Sequence, residues 1–190
     1  MYLSDAEIFE ERRRLQQDLT KDMIKFSYEK NHKLLLAGYL KIFELLEQNN
    51  STLNNNNYSI LQDGFQQLQP IQKALTIILE NCCLSAEFLL HFPDISYRIF
   101  KKKSFSNWRQ TFNWCIHFVN AFPHITEESS ARLMELLQQE INTEMRTADY
   151  MNPYYATQSK DVNADQIIKH KKAPKKLKKG PQLSGGRKEL

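Results

Sequence analysis

Five glycines and six prolines among 190 residues are too few for a chain rich in turns or sheet. Leu, Ile, Phe, Glu, Lys and Gln dominate the first 145 positions instead, a composition that favours helix. No apolar run approaches the roughly 18–20 residues of a membrane span. The start, Met1-Tyr2-Leu3-Ser4, leads straight into Asp5-Ala6-Glu7 without the apolar segment of a signal peptide. His32, His91, His117, His124 and His170 show no metal-ligand spacing and no His-Glu-Xaa-Xaa-His pattern. A Gly-rich phosphate loop and a nucleophile elbow are also missing. Glu127-Glu128 sits where a helix N-terminus favours negative charge, so a structural account of that pair suffices. No residue argues for catalysis, and neither cofactor nor metal is expected.

Charge is present but unevenly placed. The net +4 conceals 10 Lys and Arg against 3 Asp and Glu from Lys160 to Leu190, while the remainder is mildly acidic. The basic run is Lys169, Lys171, Lys172, Lys175, Lys176, Lys178 and Lys179. It suits phosphate, an anionic membrane surface or an acidic protein patch, and charge alone does not choose among them. No aromatic residue interleaves it and no nucleic-acid-binding fold precedes it, so no specific nucleic-acid partner is expected.

The apolar spacing predicts an all-α protein: a bundle of five helices over 1–145, followed by a flexible basic tail over 146–190. Ser4-Asp5-Ala6-Glu7 is a capping box. Leu15, Leu19, Met23 and Phe26, then Leu35, Tyr39, Ile42 and Leu46, continue one apolar stripe, giving a long first helix to about Gln48 that bends near Lys30–Lys33. Its first half is heavy in charge, including Arg12-Arg13-Arg14, and is expected to stand free or to pair with a partner. Residues 49–66 read as an Asn-rich loop. Pro70 suits the first turn of the second helix, with Leu75, Ile78, Cys82, Ala86 and Leu89 buried; Pro93 opens a short third helix. Ser106 caps the fourth, lined by Trp108, Phe112, Cys115, Val119 and Phe122, and Thr126 caps the fifth, lined by Leu133, Leu136, Leu137 and Ile141.

Cys82 and Cys115 fall on core stripes of two helices. They read first as buried thiols, and as a disulfide if those helices are adjacent in an oxidising compartment. An odd count leaves one cysteine free in either case. Three N-glycosylation triplets begin at Asn49, Asn50 and Asn57, and they carry weight only in a lumenal protein. Asn152-Pro153-Tyr154-Tyr155 resembles an adaptor signal but reads better as an extended segment pinning aromatic side chains onto the bundle. The terminal Arg187-Lys188-Glu189-Leu190 is close to an endoplasmic-reticulum retention address. A retention address without a signal peptide is inconsistent, so either the address is accidental or the chain lacks its true start.

The order of these features resembles the coiled-coil domain-containing protein 134 family of lumenal and secreted helical proteins. The resemblance runs through Tyr28-Glu29-Lys30 and Leu40-Lys41-Ile42-Phe43-Glu44-Leu45-Leu46-Glu47, then Phe92-Pro93-Asp94-Ile95, Asn107-Trp108, and Trp114-Cys115-Ile116-His117-Phe118-Val119-Asn120. It continues through Asn152-Pro153-Tyr154 and Lys179-Gly180-Pro181-Gln182-Leu183-Ser184 to the terminal Glu-Leu. Lys188 and the missing signal peptide depart from the pattern. The resemblance implies a non-enzymatic adapter of the endoplasmic reticulum lumen, retained by a KDEL-type receptor. It would act at the translocon and oligosaccharyltransferase to protect the lumenal Hsp90-class chaperone from hyperglycosylation. An alternative it implies is a secreted regulator that damps MAP kinase signalling. An alternative from the residues themselves is a nuclear or cytosolic protein that uses its lysine run to bind importin or nucleic acid.

Overall fold

Helix begins directly after the first described residue, Ser4. Ser4 Oγ accepts from the Glu7 N–H, and the Glu7 carboxylate accepts from the Ser4 N–H at 2.7 Å, closing the capping box that starts α1, Asp5–Ile24. The computed structural model describes residues 4–59, 63–65 and 69–154. The first helix does not continue to Gln48 with a bend at Lys30–Lys33. It stops at Lys25, and Ser27 caps a second helix, α2, Tyr28–Asn55, by accepting from the Lys30 N–H. A hydroxyl at the cap makes this break without glycine or proline, which is why the periodicity alone runs through it.

α2 also outlasts its expected end. The asparagine run expected to be a loop instead completes the helix to Asn55. Asn57 then adopts a left-handed conformation, φ 54°, and ends it. Its N–H donates to Asn54 O and the Tyr58 N–H donates to Leu53 O, both at 3.0 Å, which is the hydrogen-bond pair of a Schellman cap. Buried Leu53 and half-buried Tyr58 provide the accompanying apolar contact.

The remaining helices are α3, Ile71–His91; α4, Pro93–Phe100; α5, Trp108–Asn120; and α6, Glu128–Ile141. Two short 3-10 turns follow α4 and α6. Among the described residues there are six helices and no strand, so the fold is all-α; the count exceeds five because the first helix is split. Two expected caps move. Asn107, not Ser106, precedes α5, and Glu127, not Thr126, precedes α6, while the Thr126 hydroxyl donates back to Phe122 O.

α3 is the central helix, packed by α1, α2, α4, α5 and α6. By length and composition it could cross a membrane, yet 72% of its most apolar window is buried within the bundle. That burial is what a core helix shows. Gly38 lets α2 approach it closely: a Cβ there would stand 3.0 Å from the Phe88 ring. Between α2, α4 and α5, the fully buried Tyr39 ring is surrounded by Phe43, Phe88, Phe100, Phe105 and Phe112, with centroids 4.8–6.5 Å away. Its hydroxyl shares a 2.9 Å hydrogen bond with Ser96, so the buried polar tip is satisfied.

The described chain after α6, as far as Tyr154, packs back on the bundle. The C-terminal carbonyls of α6 are met by side chains. Arg109 donates to Ile141 O at 2.7 Å, and Tyr97 and Arg146 both donate to Glu140 O at 2.9 Å. Buried Asn152 donates to Leu90 O at 2.8 Å, and Tyr154 packs on His91 with centroids 4.2 Å apart.

Candidate interaction surface

The charged first helix neither stands free nor buries the stripe its spacing suggests. α1 lies on α3 through Phe9, Arg13, Thr20 and Met23, while Leu15 and Leu19 point outward, 66% and 49% exposed. An arginine takes a core position because a carboxylate meets it there. Arg13 Nη2 is 2.7 Å from Glu87 Oε1 on α3, and both side chains are 3% exposed. Arg13 Nη1 also donates to Gln16 at 2.7 Å, and His91 Nε2 lies 3.2 Å from the second Glu87 oxygen. Beside this network Arg12 pairs with Glu80 at 2.6 Å, and Gln16 donates to Glu80 O at 3.0 Å.

The two α3 carboxylates respond oppositely to these surroundings. Burial works to raise the pKa of Glu87. The hydrogen bond from His91 and the charge and hydrogen bond of Arg13 outweigh it, holding Glu87 below its ordinary 4.5. At Glu80 burial wins over the more exposed Arg12, and the pKa is raised. The buried thiol of Cys83 is pushed up to about 11, chiefly by burial, and is no nucleophile at neutral pH.

A groove of about 320 Å³ runs between α1 and α6, lined by Gln17, Glu87, Arg132, Leu136, Pro153 and Tyr154. A second, of about 440 Å³, lies between α2 and α5 at Phe43, Asn50, Gln110 and Trp114. Among the described residues no group of three His, Cys, Asp or Glu side chains is placed to hold a metal. On its outer face α1 presents a Leu15–Leu19 pair one helical turn apart, set among Glu11, Arg14, Asp18 and Asp22.

The candidate residues are dispersed. Cys82 and Cys115 face each other from α3 and α5, with Cα atoms 5.2 Å apart, and are joined as a disulfide, correcting the preference for two buried thiols. Cys83 is free and buried. Asn49 and Asn50 are half-buried on α2 rather than in a loop, and Asn57 is exposed at its cap. Asn152 is buried, so it cannot serve as an accessible adaptor signal in the folded body. The basic run Lys169–Lys179 and Arg187, Lys188, Glu189 and Leu190 lie outside the described residues. Sequence reasoning missed the Arg13–Glu87–His91 network altogether. Glu87 and His91 at i and i+4 on an otherwise apolar helix were the one available signal.

A family model described as "ERK and JNK pathways, inhibitor" matches residues 5–184. The chain belongs to that family. Its relatives include the proteins named Coiled-coil domain-containing protein 134 from Xenopus tropicalis and Mus musculus. Each is 24% identical over 196 residues, covering 96% of this chain and 84% of its own length. No solved structure matches the chain. The family match extends through the bundle and beyond the last described residue, so every element described above lies within the family's unit.

Proposed function

We propose that this protein is a non-enzymatic regulator that damps signalling through the ERK and JNK pathways by binding another protein. The observation that carries this reading is the family match over residues 5–184, with its inhibitor description. The geometry supports it: the described residues form a packed bundle whose exposed apolar side chains include a leucine pair on a helix held by a buried ion pair. Contact through α1 fits such a surface, because a rigid helix presenting apolar anchors among charges loses little entropy on docking.

The working compartment we propose is the oxidising one, the endoplasmic reticulum lumen and the secreted space. The Cys82–Cys115 bridge supports this, since structural disulfides persist there and are rare in the cytosol and nucleus. The same bridge disfavours the nuclear or cytosolic alternative. Retention through Arg187–Leu190 by a KDEL-type receptor is a proposal of the same kind. In a form that bears a signal peptide, deleting those four residues should increase the protein in the medium, and an unchanged distribution would contradict it. An adapter role towards the oligosaccharyltransferase and the Hsp90-class chaperone stands behind the signalling role, because the family description names signalling.

The functional reading is tested in stimulated cells that express the chain, by following phosphorylated ERK and JNK. Lower levels than in control cells, with total kinase unchanged, are expected. Equal levels at comparable expression would count against the reading.

A further inference from the structure

Of the three glycosylation triplets, two are closed off by the fold and one is presented by it. Asn49 and Asn50 sit in the last turns of α2, where side chains at i and i+2 do not face each other. Asn49 therefore cannot share a site with Ser51, nor Asn50 with Thr52, once the helix has formed. Their side chains are also committed. Asn49 Nδ2 donates to Leu45 O at 2.7 Å, Ser51 Oγ to Glu47 O at 2.9 Å, and Thr52 Oγ1 to Gln48 O at 3.1 Å. Asn50 is half-buried and lines the groove beside Trp114.

Asn57 differs in each respect. It is exposed, lies beyond the helix, and hydrogen-bonds through its side chain to no described residue. The left-handed backbone that closes α2 turns the chain there, and Tyr58 and Ser59 follow in non-helical conformation. Tyr58 is anchored by its hydroxyl to Gly64 O, and the Ser59 N–H donates to Asp63 at 2.7 Å, so the triplet is held on the surface at the rim of the bundle. The cap uses only the backbone of Asn57, so that no described residue engages its side-chain amide.

We propose that Asn57 is the N-glycan acceptor of this protein. The inference rests on the lumenal compartment proposed above, for which the Cys82–Cys115 disulfide is the structural support. In the transfer, a bond forms between Asn57 Nδ2 and the anomeric carbon of an oligosaccharide carried on a polyprenyl diphosphate. The bond from that carbon to the phosphate oxygen breaks, the polyprenyl diphosphate leaves, and the amide gives up one proton. No electrons are exchanged.

The test expresses the full chain behind an added cleavable signal sequence and examines the secreted protein. The amidase that releases N-glycans converts its acceptor Asn to Asp, so mass spectrometry reads the site directly. Asp at position 57, and Asn at 49 and 50, is expected. Ser59→Ala should abolish the glycan without disturbing the left-handed cap, as the residue hydrogen-bonds there through its backbone, its N–H donating to the Asp63 carboxylate and its carbonyl accepting from the Asp63 N–H. Joint Ser51→Ala and Thr52→Ala substitution should leave the glycan in place. Glycan at Asn49 or Asn50, or secreted protein unmodified at Asn57, would overturn the proposal. The cysteines separate the two readings: glycan at Asn57 with Cys82 and Cys115 alkylated as free thiols in the secreted protein upholds Asn57 as acceptor and counts against the compartment alone.

Discussion

Arg13 and Glu87 make the strongest single commitment among the described residues. Two charges this far from water cost several kcal/mol each to desolvate, and their mutual hydrogen bond, with those to Gln16 and His91, offsets it. Removing one partner strands the other, so Glu87→Gln should destabilise the fold by about 3–5 kcal/mol, read from the urea midpoint. Because the folded pKa of Glu87 is depressed, its contribution is present above its ordinary 4.5 and fades as pH falls through the lower folded value. Glu87→Gln should therefore flatten the loss of stability below about pH 4.5, and an unchanged acid profile would refute this. Glu80 acts with opposite sign, since its raised pKa favours the folded state at low pH. Sequence spacing misplaced this site. Leu15, Leu19 and Met23 form a valid i, i+4, i+8 stripe, but an arginine is recognised as a core residue only once a partner 74 positions away is known.

At the scale of elements, what sequence made legible was helix identity, and what it missed were ends. Ser4 and Glu7 announce α1 because both halves of the capping box are local. Ser27 ends the long stripe with a lone hydroxyl, and the asparagine run extends α2 because Leu53 is drawn into the core against its poor propensity. The α2–α3 contact depends on Gly38, so Gly38→Leu should force the Phe88 ring aside and cost about 1–3 kcal/mol in a denaturant titration. An unchanged midpoint would mean that the helices can separate without loss. The α3–α5 contact carries the disulfide across a separation of 33 residues. Replacing both cysteines by alanine should lower stability by about 2–4 kcal/mol, and the same drop should follow reduction of the unmutated protein.

For the whole molecule, composition and periodicity sufficed for the all-α architecture, because few glycines and strong helical stripes leave little else. The resemblance sufficed for the family. Function was less legible, because an interaction surface has no spacing rule: the charged first half of the helix is expected to stand free or to pair with a partner, but the spacing places Leu15 and Leu19 on the same stripe as buried Met23, and only the fold turns them outward. Recognition through that surface is the central claim, and the measurement that bears on it compares two chains in one assay. Phosphorylated ERK and JNK are followed in stimulated cells expressing either the unmutated protein or Leu15→Asp with Leu19→Asp, at matched level and matched helix content. The account predicts lowered phosphorylation with the unmutated chain and its recovery towards control with the variant. Equal suppression by both, with both folded, would contradict it.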